Sequence, residues 1–173
     1  MIAKTDWIAN MVKSNHNVTV HKVVPSLDHE AYYTDHISLK LKATKRFENG
    51  SKFTVIGMIR PRTAFRNPWG VLDVLLKLAF ELPNSVKVDL FGSSDADILG
   101  CVRQLAVREG PAPHRNESVL RYPNVRILGL VSRREDIAEM YRRSDIFIDI
   151  STWQGFGRSG AEAMSCGCIP IMP

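Results

Sequence analysis

From Phe53 onward the sequence switches repeatedly between two periods. Short apolar runs that suit a buried strand alternate with longer stretches whose apolar residues recur every three or four positions. The runs Phe53 to Met58, Val86 to Gly92, Val125 to Gly129, Asp145 to Ile150 and Cys168 to Met172 predict strands. Between them, Trp69, Leu72, Leu75, Leu76 and Ala79 predict a helix that Pro83 ends, and Ala96 to Arg108 predicts a second. Ile137, Met140 and Tyr141 mark a third behind a Ser132-Arg133-Arg134-Glu135 capping box, and Arg158 to Ser165 a fourth. Strands apolar on both faces must be covered on both faces. The alternation therefore predicts an α/β fold: a Rossmann-like, doubly wound parallel sheet with helices on either side. Ligands of such sheets sit outside the carboxyl ends of the strands, so the loops after Met58, Gly92, Gly129 and Ile150 are where function is expected.

Upstream the pattern is weaker. Trp7, Ile8, Met11 and Val12 fall at helical spacing, and Val18 to Val20 with Val23-Val24 read as a short strand broken by Pro25-Ser26-Leu27-Asp28. Lys42 to Ser51 is charged and precedes an apolar run, which reads as an interdomain linker; Gly110 to Pro123 reads as a second loop. At 173 residues, 45% hydrophobic, the chain has material for one sizeable core. Its net charge of +5 suits an anionic partner: a nucleotide diphosphate, nucleic acid or an anionic membrane surface. The basic residues are not interleaved with aromatics, which argues against nucleic acid. No apolar run is long enough to span a bilayer, and Lys4 and Asp6 interrupt any signal-like start. A cytoplasmic chain is expected, in which the sequons at Asn17, Asn49 and Asn116 carry no glycan. Cys101, Cys166 and Cys168 do not make a disulfide framework, and Cys166-Gly167-Cys168 has no distant pair to complete a zinc site. The histidines His16, His21, His29, His36 and His114 show no ligand spacing, so no metal is expected.

The loop after Ile150, from Ser151 to Glu162, is rich in glycine and runs straight into a helix. Glycines let the backbone approach a ligand closely, and a helix start offers unpaired N–H groups and the positive end of a dipole. That outlines a diphosphate site, although a plain strand-to-helix turn would read alike. Gly155-x-Gly157-x-x-Gly160 also fits the dinucleotide fingerprint, but that fingerprint belongs in the first strand–helix unit, with an acidic residue about 20 positions on. No P-loop lysine and no Ser/His/Asp order is present.

The stretch from Asp145 to Pro170 carries a more specific pattern: Ser151 and Gln154-Gly155-Phe156-Gly157, then Glu162-Ala163-Met164, then Cys166-Gly167 and Pro170. It resembles the signature of retaining GT-B glycosyltransferases of the GT4 type. The likeness extends to Leu128 to Val131, to Ile137 to Asp145, to Phe53 to Leu76, and to Pro25 to Asp28 with Tyr32. It implies the nucleotide-sugar-binding half of a two-domain enzyme, with residues 1–45 as the end of the acceptor domain or the crossover. Residues 46–173 would then be the donor domain, short of its last helices. Glu162 matches the acidic position that accepts hydrogen bonds from the ribose hydroxyls, and Gln154 stands at the acidic position that contacts the donor sugar. Gly155, Phe156 and Gly157 match the diphosphate cradle, with Arg158 and Ser159 beside it. In Ile59 to Asn67, Arg60 and Arg66 match the basic pair that neutralises the leaving diphosphate, Arg66 replacing a lysine. The wording of that loop resembles some rhamnosyltransferases.

The resemblance implies transfer of a hexosyl or deoxyhexosyl group to a glycan or lipid-linked acceptor in surface polysaccharide synthesis. It implies no cofactor and no metal, with a nucleotide diphosphate-sugar as donor substrate. It leaves room for peripheral contact with the inner face of the membrane. Two other readings fit parts of the sequence: a nucleotide-binding module without transferase activity, and an epimerase-like domain of the same build.

Overall fold

The computed structural model describes residues 2–3, 6–16, 18–22, 27–34, 39, 42, 44, 50–153 and 157–173. At the N-terminus, β1 (Ile2–Ala3) pairs in parallel with β2 (His21–Lys22) across α1 (Asp6–His16). The helix lies where its spacing predicts it. The strand does not: Val18 to Val20 run as irregular chain, and Val23 to Ser26 lie outside the described residues.

The main sheet follows the predicted alternation. In chain order come β3 (Phe53–Met58), α2 (Pro68–Glu81), β4 (Val86–Phe91), α3 (Asp95–Glu109) and β5 (Val125–Gly129). Then follow α4 (Arg134–Arg143), β6 (Ile146–Ile148), α5 (Arg158–Ser165) and β7 (Ile169–Ile171). The five strands are all parallel, in the order β5-β4-β3-β6-β7. The chain winds outward from β3 to one edge, then returns to the other side of β3 for β6 and β7. The winding reverses between β3 and β6, so the loops leaving these two neighbours diverge and open a crevice between them.

Neighbouring residues of one strand feed opposite faces. Val55 joins Val88 and Leu90 under Leu72, Leu75 and Leu76 of α2 and Ile98, Val102 and Leu105 of α3. Ile56 joins Phe91 and Phe147 under Ala138, Met140 and Tyr141 of α4 and Ala163 of α5. Each fully buried leucine contributes about 1.5–3 kcal/mol. On the second face the Tyr141 ring meets Phe147 edge-on at 5.3 Å and Phe91 at 6.3 Å, which locks α4 over the middle of the sheet. Tyr32 is buried in the same cluster. Arg134 donates to Asp28 at 2.9 Å and Arg142 to the Ala31 carbonyl at 3.0 Å, so residues 27–34 dock on α4.

Other sequence expectations meet the structure unevenly. The capping box at Ser132 does not form. The helix begins one residue later, Arg133 is its N-cap, and no side chain caps it. Arg133 is extended, with φ −78° and ψ 137°, so the first turn starts at Arg134, where Glu135 and Asp136 complement the helix dipole. Of the expected linker, Lys42 and Thr44 are helical, Gly50 and Ser51 are irregular, and the others lie outside the described residues. Lys42 Nζ sits 3.3 Å from Asp145 Oδ1, and Asp145 also accepts the Thr54 amide at 2.8 Å. Both of these partners are distant in sequence. The Gly110 to Pro123 stretch forms two 3-10 turns, held where the Arg115 fork grips Asp73 at 2.7 and 3.1 Å. Arg115, with His114 beside it, holds the Asp73 carboxyl below the usual carboxylate range. All three cysteines are free and buried, and burial pushes Cys101 up to about 11 and Cys168 up to about 12.

Candidate functional site

The two loops that flank the crevice are built in different ways. The loop after β3 ends in a strong helix start. Residues Ala64–Arg66 make a 3-10 turn, and Asn67 follows in the left-handed conformation as N-cap of α2, with φ 46°. Asparagine tolerates that conformation, its side-chain oxygen accepts the Gly70 amide at 3.2 Å, and Pro68 supplies the preset φ of a first helical residue. A Cβ on Gly70 would lie 2.6 Å from Asn67 Nδ2, so this cap needs glycine three residues on. Arg60 and Arg62 stand exposed on this loop, and neither side chain has a partner among the described residues.

The loop after β6 is organised by Asp149. Its side chain is 5% exposed. It accepts hydrogen bonds from the Ser151 amide at 3.1 Å and from the Ser151 hydroxyl, which turns the chain sharply off the strand. Arg66 reaches across the crevice to the same carboxylate, Nη1 to Oδ2 at 3.2 Å. Three more bonds join the loops. Thr152 donates its amide to the Phe65 carbonyl at 2.8 Å and its hydroxyl to the same atom at 3.2 Å, and Asn67 Nδ2 donates to the Ile150 carbonyl at 3.4 Å. The crevice at the winding reversal is thus stitched along its floor, and the Arg66 guanidinium, 27% exposed, is held between the loops.

Gln154, Gly155 and Phe156 lie outside the described residues. The chain resumes at Gly157, in the left-handed conformation with φ 67°, as N-cap of α5 with no side-chain cap. A side chain there would be strained, and the uncapped start leaves amides of the first turn open to an anion. Arg158 is exposed and Ser159 is half-buried at that start. Glu162, one turn on, is 9% exposed. Arg158 Nε donates to its Oε1 at 2.8 Å, and its second oxygen has no partner among the described residues. Burial pushes the Glu162 carboxyl up, with the Arg158 hydrogen bond opposing it. Glu162 in turn raises Tyr32 and Tyr141, both already raised by burial, which puts the carboxylate beside the aromatic cluster.

The structure therefore places Arg60 and Arg66 on the loop after β3 and Gly157, Arg158, Ser159 and Glu162 at the start of α5, with Arg66 tied to the β6 loop through Asp149. It adds Asp149, which no sequence motif singles out. A carboxylate closing a strand just before a glycine-rich loop is visible in the sequence, but its partner Arg66 is 83 residues away. Among the described residues, no group of three His, Cys, Asp or Glu side chains is arranged to hold a metal. No helix among them is long and apolar enough to cross a membrane.

Residues 115–172 match the family model of glycosyl transferases group 1. The match takes in β5 to β7 and with them Asp149, Gly157 and Glu162, while the loop carrying Arg60 and Arg66 lies before it. No curated protein matches the chain in sequence. Among solved structures, HepE from Anabaena, in complex with UDP and glucose, superposes with a TM-score of 0.63 at 18% identity, over 99% of this chain and 43% of its own. A sucrose-phosphate synthase from Thermosynechococcus elongatus gives 0.63 at 14%, over 99% of this chain and 39% of its own. The C-terminal domain of LpcC from Francisella tularensis, a glycosyl transferase group 1 family protein, gives 0.56 at 17%, over 85% of this chain and 70% of its own. At these identities the likeness is one of fold, and the chain spans about two fifths of the length of the first two. The group 1 match thus covers the C-terminal third of the chain, and the fold is shared over nearly all of it.

Proposed function

We propose that this chain binds the donor of a glycosyltransferase, a nucleotide diphosphate-sugar, in the crevice between the β3 and β6 loops. The observation that carries this reading is the Arg66–Asp149 pair that joins the β3 and β6 loops at the winding reversal, with the uncapped start of α5 and the buried Glu162 following on the β6 side. Arg60 and Arg66 face the diphosphate, and the amides from Gly157 to Ser159 complete its cradle. The free oxygen of Glu162 accepts the ribose hydroxyls, since a carboxylate can take two at once. Gln154 contacts the donor sugar, and the backbone of Gly155 and Phe156 belongs to the diphosphate cradle. Negative charge grows on the leaving diphosphate as the glycosidic bond breaks, and guanidinium groups fixed beforehand stabilise it without reorganising. In this reading the positive charge comes from the protein and no metal is required.

HepE bears UDP and UDP-glucose in its structures, which favours a nucleotide-sugar as the class of donor here. The same proposal includes a GT4-like, retaining transfer of a hexosyl or deoxyhexosyl group to a glycan or lipid-linked acceptor. It places residues 1–45 at the crossover to an acceptor domain and the enzyme in the cytoplasm. A second reading, nucleotide binding without transfer, is favoured by Gln154, an uncharged amide at a position acidic in the GT4 pattern. Calorimetric titration of UDP, GDP and dTDP into the folded chain at low salt tests the shared core of both readings. Binding of at least one is expected, and silence for all three overturns both.

A further inference from the structure

The proposed role of Arg66 leaves a question about charge. A buried carboxylate, Asp149, sits against a cation that is meant to meet an anionic ligand. A surface ion pair of no consequence would not be built this way. Asp149 is almost wholly buried, holds two groups of Ser151, and receives Arg66 from a different loop. Among the described residues, Asp149 is also the only side-chain acceptor of the Arg66 guanidinium. Only Nη1 is spent on the carboxylate. A guanidinium is a rigid planar fork with five N–H donors, so gripping one nitrogen fixes the direction of the others. An ammonium has three N–H donors on one rotatable nitrogen, so a contact made by one of them does not aim the others along a fixed plane.

We propose that Asp149 is a positioning residue for the donor diphosphate. It clamps one arm of Arg66 so that the remaining N–H groups present a preset fork to the phosphate oxygens. This rests on the diphosphate reading above. It also gives arginine an advantage over lysine at position 66: one arm fixed on the internal carboxylate sets the direction in which the others meet an external anion. Asp149 therefore acts through Arg66 and makes no contact of its own with the ligand.

Removing Asp149 alone is ambiguous, because it frees Arg66 and also deletes a negative charge near an anion. Coupling between the two positions separates these effects. The probe is inorganic pyrophosphate, which carries the phosphate chemistry without base, ribose or sugar, titrated by calorimetry into the full chain. Arg66→Ala should weaken pyrophosphate binding about tenfold in the otherwise wild-type chain, and less than threefold in an Asp149→Ala background. A tenfold loss in both backgrounds would mean that Asp149 only shapes the turn to Ser151, and would overturn the proposal. If Asp149→Ala does not fold, Arg66→Lys carries the test in a chain whose turn is untouched: it should cost nearly as much as Arg66→Ala. Full affinity in Arg66→Lys would show that a point charge suffices and that no fork is being aimed. If the wild-type chain binds nucleoside diphosphates but pyrophosphate affinity ignores Arg66, the positioning role fails while the donor reading stands. If the wild-type chain binds neither, both fall.

Discussion

Two arginine–carboxylate pairs stand at the candidate site, and they differ in nearly every respect. Arg158 and Glu162 are four residues apart on one helix, and Arg158 is 58% exposed. Arg66 and Asp149 are 83 residues apart and join two loops, and Arg66 is itself only 27% exposed. The first geometry follows from helix periodicity alone and is of the kind that contributes a few tenths of a kcal/mol. The second exists only because the sheet winds β6 back beside β3, so that the ends of two distant segments become neighbours. Its carboxylate holds Ser151 as well as Arg66 and therefore couples the shape of one loop to the charge of the other.

The contrast should show first in stability. Asp149→Ala leaves the buried Ser151 amide and hydroxyl without their acceptor and strands the Arg66 charge, a loss of about 2–4 kcal/mol. Urea unfolding followed by circular dichroism measures it, and a loss below about 1 kcal/mol would erase the distinction between the pairs. Glu162→Gln should behave in the opposite way. Burial raises the Glu162 carboxyl above its unfolded value, so the folded state prefers it protonated. Its contribution to stability is complete below the unfolded value and is lost as pH rises through the folded one. The neutral amide should therefore raise the melting temperature at neutral pH, a gain that disappears at acid pH. The same substitution should weaken nucleoside diphosphate binding several-fold. In the unmodified chain that binding should fall as pH drops through the raised value, and Glu162→Gln should flatten the profile. Arg158→Ala should cost least, under about 0.5 kcal/mol in the same urea experiment.

This difference also marks what the sequence makes legible. Strand and helix positions follow from local periodicity, so β5 at Val125–Gly129 and α5 at Arg158–Ser165 lie where the pattern alone puts them. Gly157 is legible as a place that demands glycine, and its left-handed backbone gives the reason. Contacts that depend on strand order are not legible. Asp89 sits in the middle of an apolar strand and is satisfied by Arg126, which stands opposite it only through the β4–β5 register. Asp149 and Arg66 meet for the same kind of reason. The capping box at Ser132 shows the converse failure: the local signal is present, yet the helix starts one residue later with Arg133 as an N-cap that makes no side-chain bond. For Gln154, Gly155 and Phe156, which lie outside the described residues, the sequence pattern is the basis of the assignment.

The central claim is that the β3 loop and the start of α5 face one diphosphate. It is tested most directly by comparing UDP with uridine in calorimetric titrations of wild-type, Arg60→Ala and Arg66→Ala chains at low and moderate salt. Each substitution should weaken UDP binding by about tenfold, equivalent to about 1.4 kcal/mol, and leave uridine binding nearly unchanged. Added salt should narrow the gap, because screening shortens the reach of partly exposed charges. Equal losses for UDP and uridine, or no loss for either, would contradict it and return the arginine loop to a solvated basic turn.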